Sequence, residues 1–225
     1  MPSFQVNTKW ARMSEVVPGL FISGVSALKP AELEKFGITL IINGTTEVPN
    51  LNLPHVHRVK LWLEDTDSTD ISYFLRTIPD QIEMVIRDGG RALVHCVAGV
   101  SRSASLCLAY LLKFRCKTLR EAYWFLAGRR PMVRPNLGFW NQLIDFEMEL
   151  KGRVSVRVVE TLTEKKEQLP DVYLPEVVPE RLDDKENEPS FVQETRERKG
   201  SGGPKPKFVP SLEPVPEQQD LNVEE

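Results

Sequence analysis

Between Gly19 and Leu150 short apolar runs alternate with longer stretches whose apolar residues recur at helical spacing. Gly19 to Ser23, Ile38 to Ile42 and Val56 to Leu63 read as strands, and Ala92 to His95 as a fourth, short and buried. Pro30 opens a helix through Phe36 that Gly37 ends, because proline suits a first helical turn and glycine a stop. From about Asp70 to Arg87 the residues Ile71, Phe74, Leu75, Ile78 and Ile82 share one helical face, and Gly89 and Gly90 close the helix. Ser103 to Phe114 is apolar nearly all round, the pattern of a buried helix. Thr118 and Glu121 form a capping box for a helix reaching about Gly128, and Leu137, Trp140, Ile144 and Met148 stripe a last helix from Leu137 to Leu150. Apolar strands interleaved with helices predict an α/β domain, its central, largely parallel twisted sheet flanked by helices on both faces.

Beyond Lys151 the pattern stops, and the chain turns rich in charge and holds about half of its 17 prolines. Segments such as Asp183 to Glu188 and Gly200 to Lys207 offer too little apolar surface to offset the entropy of ordering. The expected organisation is an N-terminal tail over residues 1–10, one folded domain over 11–155 and a disordered tail over 156–225. A net charge of −3 and a pI near 5.8 argue against nucleic acid or a bare anionic membrane as partner, so anion recognition must be local. The three cysteines, Cys96, Cys107 and Cys116, have neither disulfide nor zinc-site spacing. Met1 to Trp10 lacks the charged head and apolar run of a secretory signal. The cytoplasm, and the nucleus with it, fits best. The longest apolar stretch, Ala104 to Leu112, falls short of the roughly 20 residues that span a bilayer, so no stable membrane insertion is expected.

Chemistry concentrates where the fourth strand meets the buried helix, at His95-Cys96-Val97-Ala98-Gly99-Val100-Ser101-Arg102-Ser103. A thiolate attacks phosphorus well and a thiol does not, so a nucleophilic Cys96 needs surroundings that favour its charged form. A helix N-terminus supplies them through unpaired amides and the helix dipole, and the same donors suit phosphoryl oxygens. Gly99 permits a backbone turn in which successive amides of Val97, Ala98, Gly99, Val100 and Ser101 face inward as a nest. Arg102, separated from Cys96 by five residues, can close the ring with a bidentate fork that a lysine could not supply. Ser103 can hydrogen-bond the sulfur and improve it as a leaving group, and His95 is read as orienting Cys96 rather than acting as a base.

This stretch resembles the signature of the protein tyrosine phosphatase superfamily, and His95 to Ser105 looks like its dual-specificity branch. Gly37 to Asn43, Asp65 to Phe74 and Arg130 to Glu147 stand at the family's positions and order, so that residues 15 to 150 are covered. The likeness is greatest to the small atypical dual-specificity phosphatases, which have the catalytic domain without the N-terminal kinase-docking domain; nothing before residue 10 could hold one. The resemblance implies a metal-independent protein phosphatase, without cofactor, that acts through phosphocysteine on phosphotyrosine and on phosphoserine or phosphothreonine. It also implies a general acid on the loop after the third strand, where Glu64, Asp65, Asp67 and Asp70 are candidates. Family spacing selects Asp65, and Asp70 reads as a helix N-cap. Inositol-lipid phosphatases and RNA 5′-triphosphatases share such a loop, but the neutral Val97, Ala98, Val100 and Ser101 favour a single phosphate on a protein. Phosphorylated proteins, with MAP kinases as candidates, are the expected partners.

Other features carry less. His55 and His57 alternate on a strand without further metal ligands in register and read as solvated. Cys107 and Cys116 read as buried, inert thiols. Arg129, Arg130 and Arg134 form a basic cluster before the last helix, open to surface salt bridging or to a rim that recognises acidic phosphopeptides.

Overall fold

The computed structural model describes residues 12–161 and 166–174; the expected N-terminal tail and the chain from residue 175 onward lie outside the described residues. Five strands, β1 (Ser14–Val17), β2 (Leu20–Ser23), β3 (Leu40–Asn43), β4 (His57–Lys60) and β5 (Ala92–His95), form one sheet in the order β1-β2-β5-β3-β4. Only the β1–β2 pairing is antiparallel; β2–β5, β5–β3 and β3–β4 are parallel. The parallel register aligns Ser23, His95, Asn43 and Lys60, so four strands end at one level. Open parallel sheets bind ligands beyond the carboxyl ends of their strands, and Cys96 leaves β5 at that edge.

Alternation along each strand divides its apolar residues between two cores. Phe21, Ile41 and Leu93 pack with Leu33 of α1 (Pro30–Lys35) on one face. Leu20, Ile22, Leu40, Ile42, Ala92 and Val94 turn to the other, where α2 (Ser72–Arg87), α3 (Arg102–Phe114), α4 (Leu119–Arg129) and α5 (Leu137–Lys151) lie. α3 is the central element: every residue from Arg102 to Leu112 is buried, which accounts for its unbroken apolar sequence. The expected helices on both faces are therefore present, unevenly divided. Asp70 accepts from Ser72 N at the start of α2 (2.8 Å). Thr118 caps α4 by accepting from Glu121 N (3.1 Å), while the Glu121 carboxylate reaches back to Lys117 N (2.8 Å).

One expectation is corrected at the C-terminal side. The described fold continues past residue 155: β6 (Val158–Glu160) and β7 (Gln168–Pro170) form an antiparallel hairpin, followed by a 3₁₀ turn over Asp171–Tyr173. Val156 and Val172 are fully buried, Asp171 pairs with Arg120 (2.6 Å), and Trp140 Nε1 donates to Tyr173 Oη (2.6 Å). Val156 alternates with Val154 and Val158, and Val172 and Tyr173 stand side by side, but both runs are short and set among charged residues; all three side chains pack onto the core that includes residues of α4 and α5.

Candidate active site

Cys96, only 1% exposed, lies at the bottom of the loop between β5 and α3, and its sulfur meets Gly99 N and Ser103 Oγ, each at 3.2 Å. The loop is held open from outside. The carbonyl of Val97 accepts from Val25 N, that of Val100 from Arg134 N, and that of Ser101 from Ser105 N. Those of Ala98 and Gly99 accept from the Arg130 guanidinium at 3.1 and 2.7 Å. With the carbonyls fastened outward, the Gly99 amide is left to point at the sulfur, as an amide of an anion-binding nest would. Gly99 is needed there twice over: its φ is +72°, and a Cβ would stand 2.6 Å from Ser23 C.

Arg130 corrects the reading of a surface basic cluster. It is 1% exposed, and besides the two loop carbonyls it donates to Arg12 O and Ser14 Oγ, tying β1 to the back of the loop. Burial lowers its tendency to stay charged, and the nearby Cys96 sulfur opposes that. Arg129 and Arg134 lie instead over the rings of Phe125 (4.0 Å) and Tyr173 (4.5 Å).

Arg102 is 4% exposed and anchored through one nitrogen. Nη1 donates to both oxygens of Glu47 (2.7 and 3.1 Å) and to Leu63 O (3.1 Å), whereas Nε makes no hydrogen bond and lies 3.5 Å from Asp65 Oδ2. Burial opposes the charge of Arg102, but Glu47, Cys96 and Asp65 outweigh it and hold the guanidinium above its usual range. Partial burial likewise pushes the Glu47 carboxyl up, and the hydrogen bonds from Arg102 and its own loop bring it below the usual carboxylate value. Glu47 had no signal in the sequence, being one acidic residue in a loop. The structure fixes that loop through Asn43, whose side chain binds Val48 O and Thr45 Oγ1.

The acidic loop after β4 separates its candidates by geometry. Asp65 Oδ1 accepts from Ser101 Oγ (2.6 Å) and Asn136 Nδ2 (3.0 Å), so this carboxylate faces the anion loop. Asp67 points to the start of α5 and accepts from Gly138 N (3.3 Å). Gly138 admits this contact only because it lacks a side chain: a Cβ there would fall 1.9 Å from Asp67 O. Asn136, the N-cap of α5, accepting from Phe139 N (2.8 Å), is a partner of Asp65 that no local signal in the sequence marks.

His95 is buried, and its Nδ1 lies 3.4 Å from Cys96 O. Burial, assisted by the charges of Lys60 and Arg102 and opposed by the bond to Cys96, lowers its pKa from 6.5 to about 4. A folded value below the unfolded one means that the unfolded chain binds the extra proton first as pH falls. His95 thus contributes stability that is complete above pH 6.5 and is lost toward pH 4, up to roughly 3 kcal/mol. Urea unfolding of His95→Gln between these limits should show a shallower dependence on pH than the parent; equal slopes would refute this. Cys107 and Cys116 are buried, and burial raises both thiols, Cys116 to about 12, as inert cysteines require. Among the described residues no group of three or more potential ligands could hold a metal ion, and no helix is long and apolar enough to cross a membrane.

A thiol met by a loop amide and a hydroxyl at the start of a helix, beside an arginine with an unused buried donor, suits one reaction above others, the attack of sulfur on a phosphate monoester. The fold and this site define a cysteine-based phosphatase. More narrowly, the model of the dual specificity phosphatase catalytic domain matches residues 20–149, more than half of the chain, and the chain belongs to that family. It is 45% identical over 150 residues to mouse dual specificity protein phosphatase 14, covering 66% of this chain and 76% of that one. A mouse putative dual specificity phosphatase solved with zinc tungstate superposes with a TM-score of 0.60 at 34% identity, over 68% of this chain and 94% of the other. Human DUSP28 gives a TM-score of 0.59 at 33% identity, over 62% and 95%. The chain is a dual-specificity protein phosphatase, acting on tyrosine and on serine or threonine phosphates by the cysteine-based chemistry of the tyrosine phosphatase superfamily.

Proposed function

We propose that Cys96 is the nucleophile, Asp65 the general acid, Arg102 the clamp and Ser103 the group that eases release of the sulfur. The observation that carries this reading is the Cys96 sulfur set between Gly99 N and Ser103 Oγ in a loop whose next residues are Ser101, bonded to Asp65, and Arg102. In the first step a sulfur lone pair forms the S–P bond as the P–O ester bond breaks. The leaving oxygen takes a proton from Asp65. The equatorial oxygens are held by the amides of Val97, Ala98, Gly99, Val100 and Ser101 and by Arg102, whose Nε is available because Nη1 is occupied by Glu47 and Leu63. Water then attacks phosphorus, Asp65 takes its proton, the S–P bond breaks, and Ser103 stabilises the departing thiolate. His95, neutral at physiological pH, holds the Cys96 carbonyl.

Phosphorylated proteins are the substrate class. Among them we place MAP kinases as candidates, met in the cytoplasm and nucleus. The neutral side chains of Val97, Ala98 and Val100 support a single phosphate rather than a polyanionic headgroup, since none adds charge to the loop. The test compares release of phosphate from phosphotyrosine and phosphothreonine peptides with release from a phosphoinositide. Both peptides should be hydrolysed, the lipid weakly, and EDTA should leave the rates unchanged. A dominant rate on the lipid, or inhibition by EDTA that zinc reverses, would replace the reading.

A further inference from the structure

Trp62 stands between Leu61 and Leu63, both buried, yet is itself 72% exposed. Its position is tied to the reaction centre from two sides. Leu63, the next residue, supplies the carbonyl that holds Arg102, and Asp65 follows two residues later. On the other side Lys60 lies with Nζ 4.6 Å from the centre of the Trp62 ring, while the same ammonium donates to Val48 O and Thr45 Oγ1 of the loop that carries Glu47. Lys60 is thereby committed to that loop. The indole is braced on one face and open on the rest.

The sheet gives the distance. Lys60 is in register with Asn43 and, through it, with His95, so the chain leaving β4 toward Trp62 rises from the same edge as Cys96, two strands away. Strands lie about 4.8 Å apart, which sets a lateral offset of about 10 Å. An extended peptide advances about 3.3 Å per residue, so this offset corresponds to about three residues from the phosphorylated one. Cys96 is 1% exposed, so a substrate's phosphorylated side chain must reach in while its neighbours lie across the surface around the loop, on the edge of the sheet that the chain leaving β4 also follows.

We propose that Trp62 is a specificity-determining residue that contacts an apolar side chain within three residues of the phosphorylated residue in a protein substrate. The inference deepens the phosphatase reading and rests on it. An apolar partner is favoured because the open indole surface is apolar and the adjacent Lys60 ammonium is already engaged by Val48 O. Trp62 acts in recognition, and acid catalysis and phosphate clamping remain with Asp65 and Arg102.

The experiment measures kcat/KM of the full chain on phosphothreonine peptides with an alanine background, in which leucine is moved singly through the three positions on either side. An aryl phosphate without flanking residues is the internal reference. Leucine at one position is expected to raise kcat/KM by on the order of tenfold, through KM. In Trp62→Ala that gain should vanish, and in Trp62→Phe much of it should return. The same leucine gain in Trp62→Ala as in the parent would overturn the proposal, as would the absence of a gain at every position. An equal fall on peptides and on the aryl phosphate would also overturn it, since Trp62 would then be supporting the acid loop. If the parent hydrolyses neither the aryl phosphate nor any peptide, the phosphatase reading fails first and takes this proposal with it.

Discussion

Replacement of Cys96 by serine is expected to slow hydrolysis of an aryl phosphate by at least about a thousandfold and yet leave phosphopeptide binding within a few-fold of the parent. A hydroxyl holds its proton far more tightly than a thiol, so at neutral pH it offers almost no anion to attack phosphorus. Binding follows a different account. The backbone of the loop is held by its carbonyls, from Val97 to Ser101, which are fastened to Val25, Arg130, Arg134 and Ser105, and none of those bonds involves sulfur. Arg102 likewise keeps its orientation through Glu47 and Leu63. Serine is close in size to cysteine and leaves Gly99 and Ser103 in place. Turnover of the aryl phosphate and anisotropy of a labelled phosphopeptide read the two effects separately. Residual turnover above about one thousandth of the parent would remove Cys96 from the nucleophile's role; loss of binding alongside turnover would mean that the sulfur helps to shape the loop.

Local signals in the chain were enough for the frame and for the loop. Each central strand reads from its apolar run, the buried α3 from its lack of a polar face, and Cys96, Gly99 and Arg102 from the chemistry they make possible together. What escaped depends on long-range pairing. β1 contributes only Val16 and Val17 as apolar residues, and becomes a strand because β2 lies beside it. Glu47 is separated from Arg102 by 55 residues and Asn136 from Asp65 by 71, and a single polar residue in a loop carries no mark of a partner so distant. Arg130 shows the limit most clearly. Arginines close together in sequence suggest a charged surface, but the turn over Arg130–Asn136 delivers this one to a set of orphaned carbonyls where only a long, multidonor side chain reaches. The hairpin of β6 and β7 was missed for another reason: its strands are three residues long, set among charges, and Val158, Val159 and Leu169 are only partly buried.

Asp65→Asn is expected to slow release of phosphate from phosphothreonine by on the order of 10²–10⁴-fold, and to affect an aryl phosphate with an activated leaving group far less. The difference lies in the departing oxygen. A threonine alkoxide is strongly basic and must be protonated as it leaves, whereas an activated phenoxide departs unaided. On the proposed role of Asp65, the two oxygens of its carboxyl group divide the work. Oδ1 is occupied as acceptor by Ser101 and Asn136, which leaves Oδ2, 3.5 Å from Arg102 Nε, to carry the proton toward the substrate. Removing the acid should therefore also remove the alkaline limb of the kcat/KM profile, because that limb records loss of this proton. Asp67→Asn should be nearly neutral in the same assays, since its carboxylate is turned to Gly138 N at the start of α5. Gly138→Ala is the informative companion. The added methyl group would collide with the backbone of Asp67 and displace the acid loop. It should reproduce in weaker form the leaving-group dependence of Asp65→Asn while the Cys96 loop stays intact. If Asp67→Asn erases the alkaline limb and Asp65→Asn preserves it, the two aspartates exchange roles, and the bonds from Ser101 and Asn136 serve only to close the loop.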